Sequence, residues 1–210
     1  MANESNSSTE TLEFIKNDFS QCFQQMRHYD NKMFNIFKFM FTGYSALVGL
    51  ALGLYQFGLK EQINLSLPAI AILAIGFILG LFLFNLLVKN RVYYVKVARY
   101  INEIRNYFFQ NKPNGFDNQT EMYTDFNRPR YFNKISSHIW LIYTLSLLNS
   151  SLLGVLLYIL LHSASNLWAI VTLGCALLLF IQKIFMASYF KSKENKSEKK
   201  TGNENTKRDT

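Results

Sequence analysis

The sequence has little of what enzymes and metal sites are usually built from. It contains two cysteines and three histidines in 210 residues. No CxxC or HxxxH spacing occurs among them, which argues against a structural zinc site. A Gly-rich phosphate loop, a Ser/His/Asp order typical of hydrolases and a carboxylate pair on one helical face are also missing. We therefore predict a protein that is not an enzyme and that uses no cofactor or metal.

Charge is also missing from long parts of the chain. No Asp, Glu, Lys or Arg occurs in residues 39–59, 62–88 or 135–182. A membrane-spanning helix needs about 20 consecutive apolar residues, so the first two stretches each hold one span and the third holds two. A soluble domain of this size cannot bury four such helices. We predict an all-α, polytopic membrane protein with transmembrane helices at 39–59, 65–88, 139–161 and 167–187.

The charged residues that are present predict an orientation. Of the 22 Lys and Arg residues, 21 fall before the first span, between the second and third, or from Lys183 at the inner end of the fourth onward, and only Lys60 lies in the other connections. The positive-inside rule makes the basic side cytoplasmic. We expect a multi-pass protein of a bacterial inner membrane with both termini in the cytoplasm. Cys22 and Cys175 then lie in different environments, so a disulfide between them is not expected.

Helical periodicity continues beyond two of the spans. Residues 1–9 look disordered, and residues 10–38 form an amphipathic helix with apolar residues seven apart. This stripe predicts packing either against another helix of the same chain or between subunits. Residues 89–110 continue the second span as a cytoplasmic helix, and 111–138 form a basic-aromatic loop. The lysine-rich segment 191–210 lacks apolar anchors and is predicted to be disordered.

The basic-aromatic segment suggests a phosphate-binding site. Arginine forks suit phosphate, and neighbouring aromatic rings can stack on bases. Juxtamembrane Lys and Arg also set topology and touch anionic lipid, and this alternative is favoured for Lys89, Arg91, Lys134 and Lys183, which lie nearest the bilayer. The candidate ligand-binding residues are Lys96, Arg99, Arg105, Arg128, Arg130 and Tyr131.

Polar residues within the spans suggest a pore. Four of them follow helical spacing on one side of the third span, and Asn85 lies near the inner end of the second. Interhelical hydrogen bonding is the alternative use of such side chains. The candidate pore-lining residues are Asn85, Tyr143, Ser146, Asn149 and Ser150. Small residues, including Gly76 and Gly80 in a GxxxG spacing, predict close helix packing, with the same chain or another as partner.

The whole chain resembles small four-span membrane effectors of bacterial anti-phage systems of the CBASS-like and Hailong types. The resemblance rests on four spans, a cytoplasmic helical region, a basic-aromatic central loop and the string YYVKVARYINEIR at residues 93–105. It implies an oligomeric channel or membrane-disrupting effector. It also implies a nucleotide or oligonucleotide ligand, made by a partner enzyme, that holds or releases an inactive state.

Three functions follow from these observations. The first is a homo-oligomeric effector or channel in the lipid bilayer, controlled by a ligand on the cytoplasmic helices. The second is a non-enzymatic scaffold or accessory subunit that recruits a partner through the N-terminal helix. The third is a small transporter, which the scarcity of ionisable residues in the spans disfavours.

Overall fold

Four long α-helices make up the fold. The structure is a computed structural model that describes the backbone of residues 2–110, 123–125 and 127–208, and the side chains of 11–110, 123–125 and 127–199. The described residues form α1 (Ala2–Glu61), α2 (Ser66–Gln110), α3 (Ser137–Leu160) and α4 (Leu167–Arg208), with no strand among them. Each helix is long and apolar enough to cross a membrane. The predicted all-α fold with four spans is confirmed, and the architecture is that of a multi-pass membrane protein.

Three of the helices are much longer than a bilayer is thick. α1, with 60 residues, is about 90 Å long at 1.5 Å per residue, against a hydrocarbon core of about 30 Å. α2 has 45 residues and α4 has 42, whereas α3 has 24. The turns at 62–65 and 161–166 therefore lie on one side of the bundle. On the other side, which we call the extension side, α1, α2 and α4 continue past their spans.

Both ends of the chain differ from the prediction. Residues 2–9 and 191–208 are helical, although 1–9 and 191–210 were predicted to be disordered. Composition predicts disorder where a segment cannot bury apolar surface. Here each segment continues a helix that a span has already nucleated, so only the smaller cost of propagation applies. Residues 111–122 and 126 of the predicted loop 111–138, together with residues 209–210, lie outside the described residues.

The helices pack in chain order. α1 lies along α2, α3 packs against both, and α4 packs against α3 and reaches α2. Gly80 of α2 faces the hydroxyl of Tyr44 on α1 and the side chain of Asn149 on α3, and there is no space at this position for a Cβ atom. Gly76 faces Leu47 of α1 in the same way. The GxxxG spacing thus serves packing within one chain.

The extensions of α1 and α2 form an antiparallel pair. The rings of Tyr29 and Tyr93 stack with centroids 5.9 Å apart, and Asn90 Nδ2 donates a 2.7 Å hydrogen bond to the Tyr29 carbonyl. Farther from the membrane, the Tyr100 hydroxyl donates to the Asp18 carboxylate at 2.6 Å, and this bond raises the pKa of Tyr100 to about 12. At Tyr29 the stripe of this helix therefore packs against a helix of the same chain, whereas Leu12 and Phe14 nearer its start are exposed.

Candidate ligand site on the extension side

A cavity of about 880 Å³ lies between α1, α2 and residues 123–125 and 127–134. Its apolar wall includes aromatic rings from all three elements. Cationic groups stand among them, with one carboxylate, that of Asp125. The residues that give the cavity this character are Phe23, Tyr94, Tyr123, Phe132, Arg105, Arg128, Arg130 and Lys134. Rings beside cations suit a ligand that is aromatic and anionic.

Three of the six predicted ligand residues line this cavity: Arg105, Arg128 and Arg130. Arg128 is exposed and lies 3.3 Å from the Asp125 carboxylate. Arg130 is also exposed, and no hydrogen bond or ion pair of its side chain occurs within the described part of the chain. Its guanidinium is therefore available to a ligand. Lys134, for which the sequence favours a role in setting membrane topology, lines the same cavity.

Arg105 lies among aromatic rings. Its guanidinium carbon is 5.6 Å from the ring centroid of Phe19, 5.9 Å from that of Phe23 and 5.1 Å from that of Tyr123. Cation–π attraction holds the guanidinium in place without using its hydrogen-bond donors. Arg105 therefore presents its N–H groups at the cavity from a fixed position.

The other three predicted ligand residues lie elsewhere. Lys96 is exposed, with its ammonium 5.8 Å from the Tyr93 ring centroid. Tyr131 is 3 % exposed, and burial raises the pKa of its hydroxyl. Arg99 is 8 % exposed and lies over the Tyr131 ring, 4.6 Å from the centroid. Tyr131 therefore presents no open face for stacking on a base.

Two buried arginines of α2 hold the segment 127–134 in place. Arg91 donates to the carbonyls of Arg130 and Tyr131 at 3.0 and 3.4 Å. Arg99 Nε donates to the Pro129 carbonyl at 3.1 Å. Because a guanidinium offers several donors in a rigid plane, one arginine can satisfy more than one backbone carbonyl. The segment that carries Arg128 and Arg130 is thereby docked against α2.

Asn102 adds a third tether, one helical turn beyond Arg99. Its side-chain amide donates to the carbonyls of Asp125 and Arg128 at 3.1 and 2.8 Å. Arg91, Arg99 and Asn102 share one face of α2. They are buried because residues 123–125 and 127–134 and α4 cover that face.

A second polar chain links three helices at the start of α3. His138 is buried, and its Nε2 lies 2.6 Å from the Asp30 carboxylate of α1. Its Nδ1 lies 3.3 Å from Arg91 Nη1 of α2. The His138 ring also meets the Tyr94 ring edge to face, with centroids 4.4 Å apart. These contacts therefore join α1, α2 and the start of α3 beside the cavity.

The predicted pore-lining residues lie mostly inside the bundle of one chain. Asn149 is fully buried, and its Oδ1 accepts a hydrogen bond from the Tyr44 hydroxyl at 2.5 Å. The buried hydroxyls of Ser146 and Ser150 donate to carbonyls one turn earlier on α3. Tyr143 and Asn85 are half-buried. In this conformation Ser146, Asn149 and Ser150 serve interhelical and intrahelical bonding.

Sequence reasoning missed several residues that organise this site. Arg91 was assigned to topology because it lies three residues past the charge-free stretch. Asp30, His138 and Glu194 had no local pattern that marks them. The available signal was the position of Arg91, Arg99 and Asn102 on one side of a helix, a polar stripe long enough to bind a second segment.

Comparison with protein families, curated proteins and solved structures finds no significant match.

Proposed function

We propose that this chain is a bacterial inner-membrane protein that forms homo-oligomers and conducts ions or disrupts the membrane under the control of a nucleotide or oligonucleotide ligand. The ligand would be made by a partner enzyme and would bind in the cavity on the cytoplasmic side. The single observation that carries the proposal is the chemistry of that cavity. A role in anti-phage defence is what the sequence resemblance adds.

The cavity lining supports an anionic aromatic ligand over a neutral one. Four cationic side chains, Arg105, Arg128, Arg130 and Lys134, face one carboxylate, that of Asp125. Guanidinium groups bind phosphate through paired, charge-assisted hydrogen bonds. Phe132 offers a stacking surface, whereas guanidinium groups already lie over one face of Phe23, Tyr94 and Tyr123. Stacking of one base on an aromatic side chain contributes about 1–3 kcal/mol. A nucleotide combines both features in one molecule.

The position of the cavity supports control of the spans. Its walls come from α1, from α2 and from the segment that leads into α3. α1 and α2 each run without a break from the cavity into the membrane. A ligand that changes the spacing of the two extensions would therefore shift the spans that continue them.

The test is nucleotide binding by full-length protein in nanodiscs. The double charge reversal R128E/R130E should abolish binding of radiolabelled ATP and of a labelled short oligoadenylate, because two of the four cavity cations become anions. The matched control is K191E/K196E, which changes net charge equally on the exposed face of α4. Equal loss of nucleotide binding in both variants, or unchanged binding in R128E/R130E, would mean that the nucleotide does not bind in the cavity.

Conduction and assembly need separate measurements. Light scattering in detergent should give a mass above that of one 24.4 kDa chain. Proteoliposomes that contain the protein should show an ion flux that changes when the nucleotide found to bind in the first test is added. The flux through the R128E/R130E variant should not change. A monomer that never conducts would contradict the channel proposal.

A monomer that never conducts would instead fit a scaffold, and one further observation favours that function. An apolar groove of about 720 Å³ lies between the distal ends of α1 and α2, lined by Leu12, Phe19, Ile104, Phe108 and Phe109 among others. Phe14 beside it is 69 % exposed. Replacing Leu12 and Phe14 by serine should abolish partner recruitment by a scaffold but leave nucleotide-dependent flux of a channel unchanged.

A further inference from the structure

A second anion-binding arrangement lies outside the cavity, where α4 meets α2. Arg99 Nη2 donates to Glu194 Oε1 at 2.5 Å, and the backbone N–H of Tyr131 donates to Glu194 Oε2 at 3.0 Å. Arg99 Nη1 donates to the Ser197 hydroxyl at 3.0 Å. The Arg99 side chain is 10 % exposed. The buried Arg99 guanidinium and the Tyr131 backbone amide thus each bind one oxygen of the Glu194 carboxylate.

The surroundings of this carboxylate are short of negative charge. Arg91 and Arg99 are both buried on the same helix. Within the described residues, Glu194 is the only carboxylate in direct contact with either of them. Arg91 relies on the carbonyls of Arg130 and Tyr131 and on His138. Burying a cation without a matching anion is costly, so this place favours a ligand with more negative charge than one carboxylate carries.

We propose that the Arg99 guanidinium and the Tyr131 N–H form an anion site, that Glu194 occupies it as a built-in ligand, and that a phosphate group competes with Glu194 for it. Phosphate, like the carboxylate, presents one acceptor oxygen to Arg99 and a second to the Tyr131 N–H, and it has a further oxygen and a charge of up to −2. Arg99 does not line the 880 Å³ cavity. The inference therefore goes beyond the proposed function and does not depend on nucleotide binding there.

Competition at this site would release the extension of α4. Glu194 is the residue of this extension that bonds both to α2 and to the segment 127–134. Ser197 also bonds to Arg99, but its hydroxyl carries no opposite charge. A phosphate that takes over the bonds to Arg99 and to the Tyr131 N–H removes the ion pair between the extension and α2 and the bond between the extension and the segment 127–134, so the extension is held less tightly.

The first test uses inorganic pyrophosphate, which has phosphate groups but no base. Isothermal titration of full-length protein in detergent should show that Glu194→Ala binds pyrophosphate about tenfold tighter than the wild type, because an internal competitor is removed. Glu198→Ala is the matched control, since it deletes the same side chain from an exposed position on the same helix. Adding Arg99→Gln to Glu194→Ala should cancel the gain. Equal affinities for Glu194→Ala and Glu198→Ala would overturn the inference.

The second test needs no substitution. Saturating pyrophosphate should speed amide hydrogen exchange of wild-type residues 191–199, since the extension leaves its docking site. Unchanged exchange at saturation would overturn release of α4. The cavity proposal is judged apart from this one. If Glu194→Ala does not bind pyrophosphate more tightly while nucleotide binding is intact, only this inference is contradicted. If Glu194→Ala still tightens pyrophosphate binding in the R128E/R130E background, the inference is supported even where nucleotide binding fails.

Discussion

At the scale of single residues, Gly80 decides how closely three helices can pack. The Tyr44 hydroxyl and the Asn149 side chain occupy the space where a Cβ atom at position 80 would stand. Asn149 Nδ2 also donates to the Gly80 carbonyl at 3.4 Å. The glycine therefore makes room for the buried hydrogen bond that the Tyr44 hydroxyl of α1 donates to Asn149 of α3.

Gly80→Ala should destabilise the protein although alanine is the better helix former. The added methyl displaces the Tyr44 hydroxyl from Asn149, and overpacking of this kind costs about 1–3 kcal/mol. The matched control is Gly49→Ala, because a Cβ there meets nothing within 4 Å. Thermal unfolding in detergent should show a lower midpoint for Gly80→Ala only. Equal midpoints would mean that the three helices do not meet as described.

At the scale of elements, the segment 127–134 is held by side chains far from it in sequence. Arg91, Arg99 and Asn102 donate to its backbone carbonyls or to that of Asp125, and Glu194 accepts its Tyr131 N–H. The segment has no regular secondary structure of its own. Its conformation therefore depends on α2 and α4, and it should loosen when one of these bonds is removed.

Arg91→Leu should free this segment. The carbonyls of Arg130 and Tyr131 lose their donors, and a buried acceptor left without a partner costs about 1–3 kcal/mol. Limited trypsin digestion in detergent should then cut faster after Arg130 and Lys134. Lys89→Leu removes an equal charge from an exposed position two residues earlier and should digest like the wild type. Faster cleavage in both variants would point to a general loss of stability.

At the scale of the whole molecule, the membrane orientation is the property that the other proposals depend on. The proposed orientation, with both termini in the cytoplasm, predicts that Cys22 faces the cytoplasm and that Ser163 faces the exterior. A membrane-impermeant maleimide should label Ser163→Cys on intact cells, whereas Cys22 should react only after permeabilisation. External labelling of Cys22 would reverse the assigned topology.

The labelling rate of Cys22 should also depend on pH. Burial and the nearby Asp18 carboxylate raise the pKa of the Cys22 thiol. The thiolate is the reactive form, so its fraction at neutral pH is lower than that of a free cysteine and grows as pH rises toward the raised pKa. In permeabilised cells Asp18→Asn should label faster than the wild type at the same pH.

The four spans could be predicted from sequence because length and lack of charge alone define them. The docking of the loop could not, because it depends on partners such as Arg99 with Pro129 and with Ser197, 30 and 98 residues apart. A basic residue near the membrane edge has an ordinary explanation in topology, and this concealed the role of Arg91. Of the predicted ligand residues, Arg105, Arg128 and Arg130 line one cavity because the segment that carries two of them folds back on α2.

The shortness of the two turns has a consequence for detection from outside. Only residues 62–65 and 161–166 separate the helices on the side opposite the extensions. A surface of ten residues offers an antibody or a protease almost no epitope. In the proposed orientation the turns lie on the outer face, so an affinity tag for that face would be inserted into one of them.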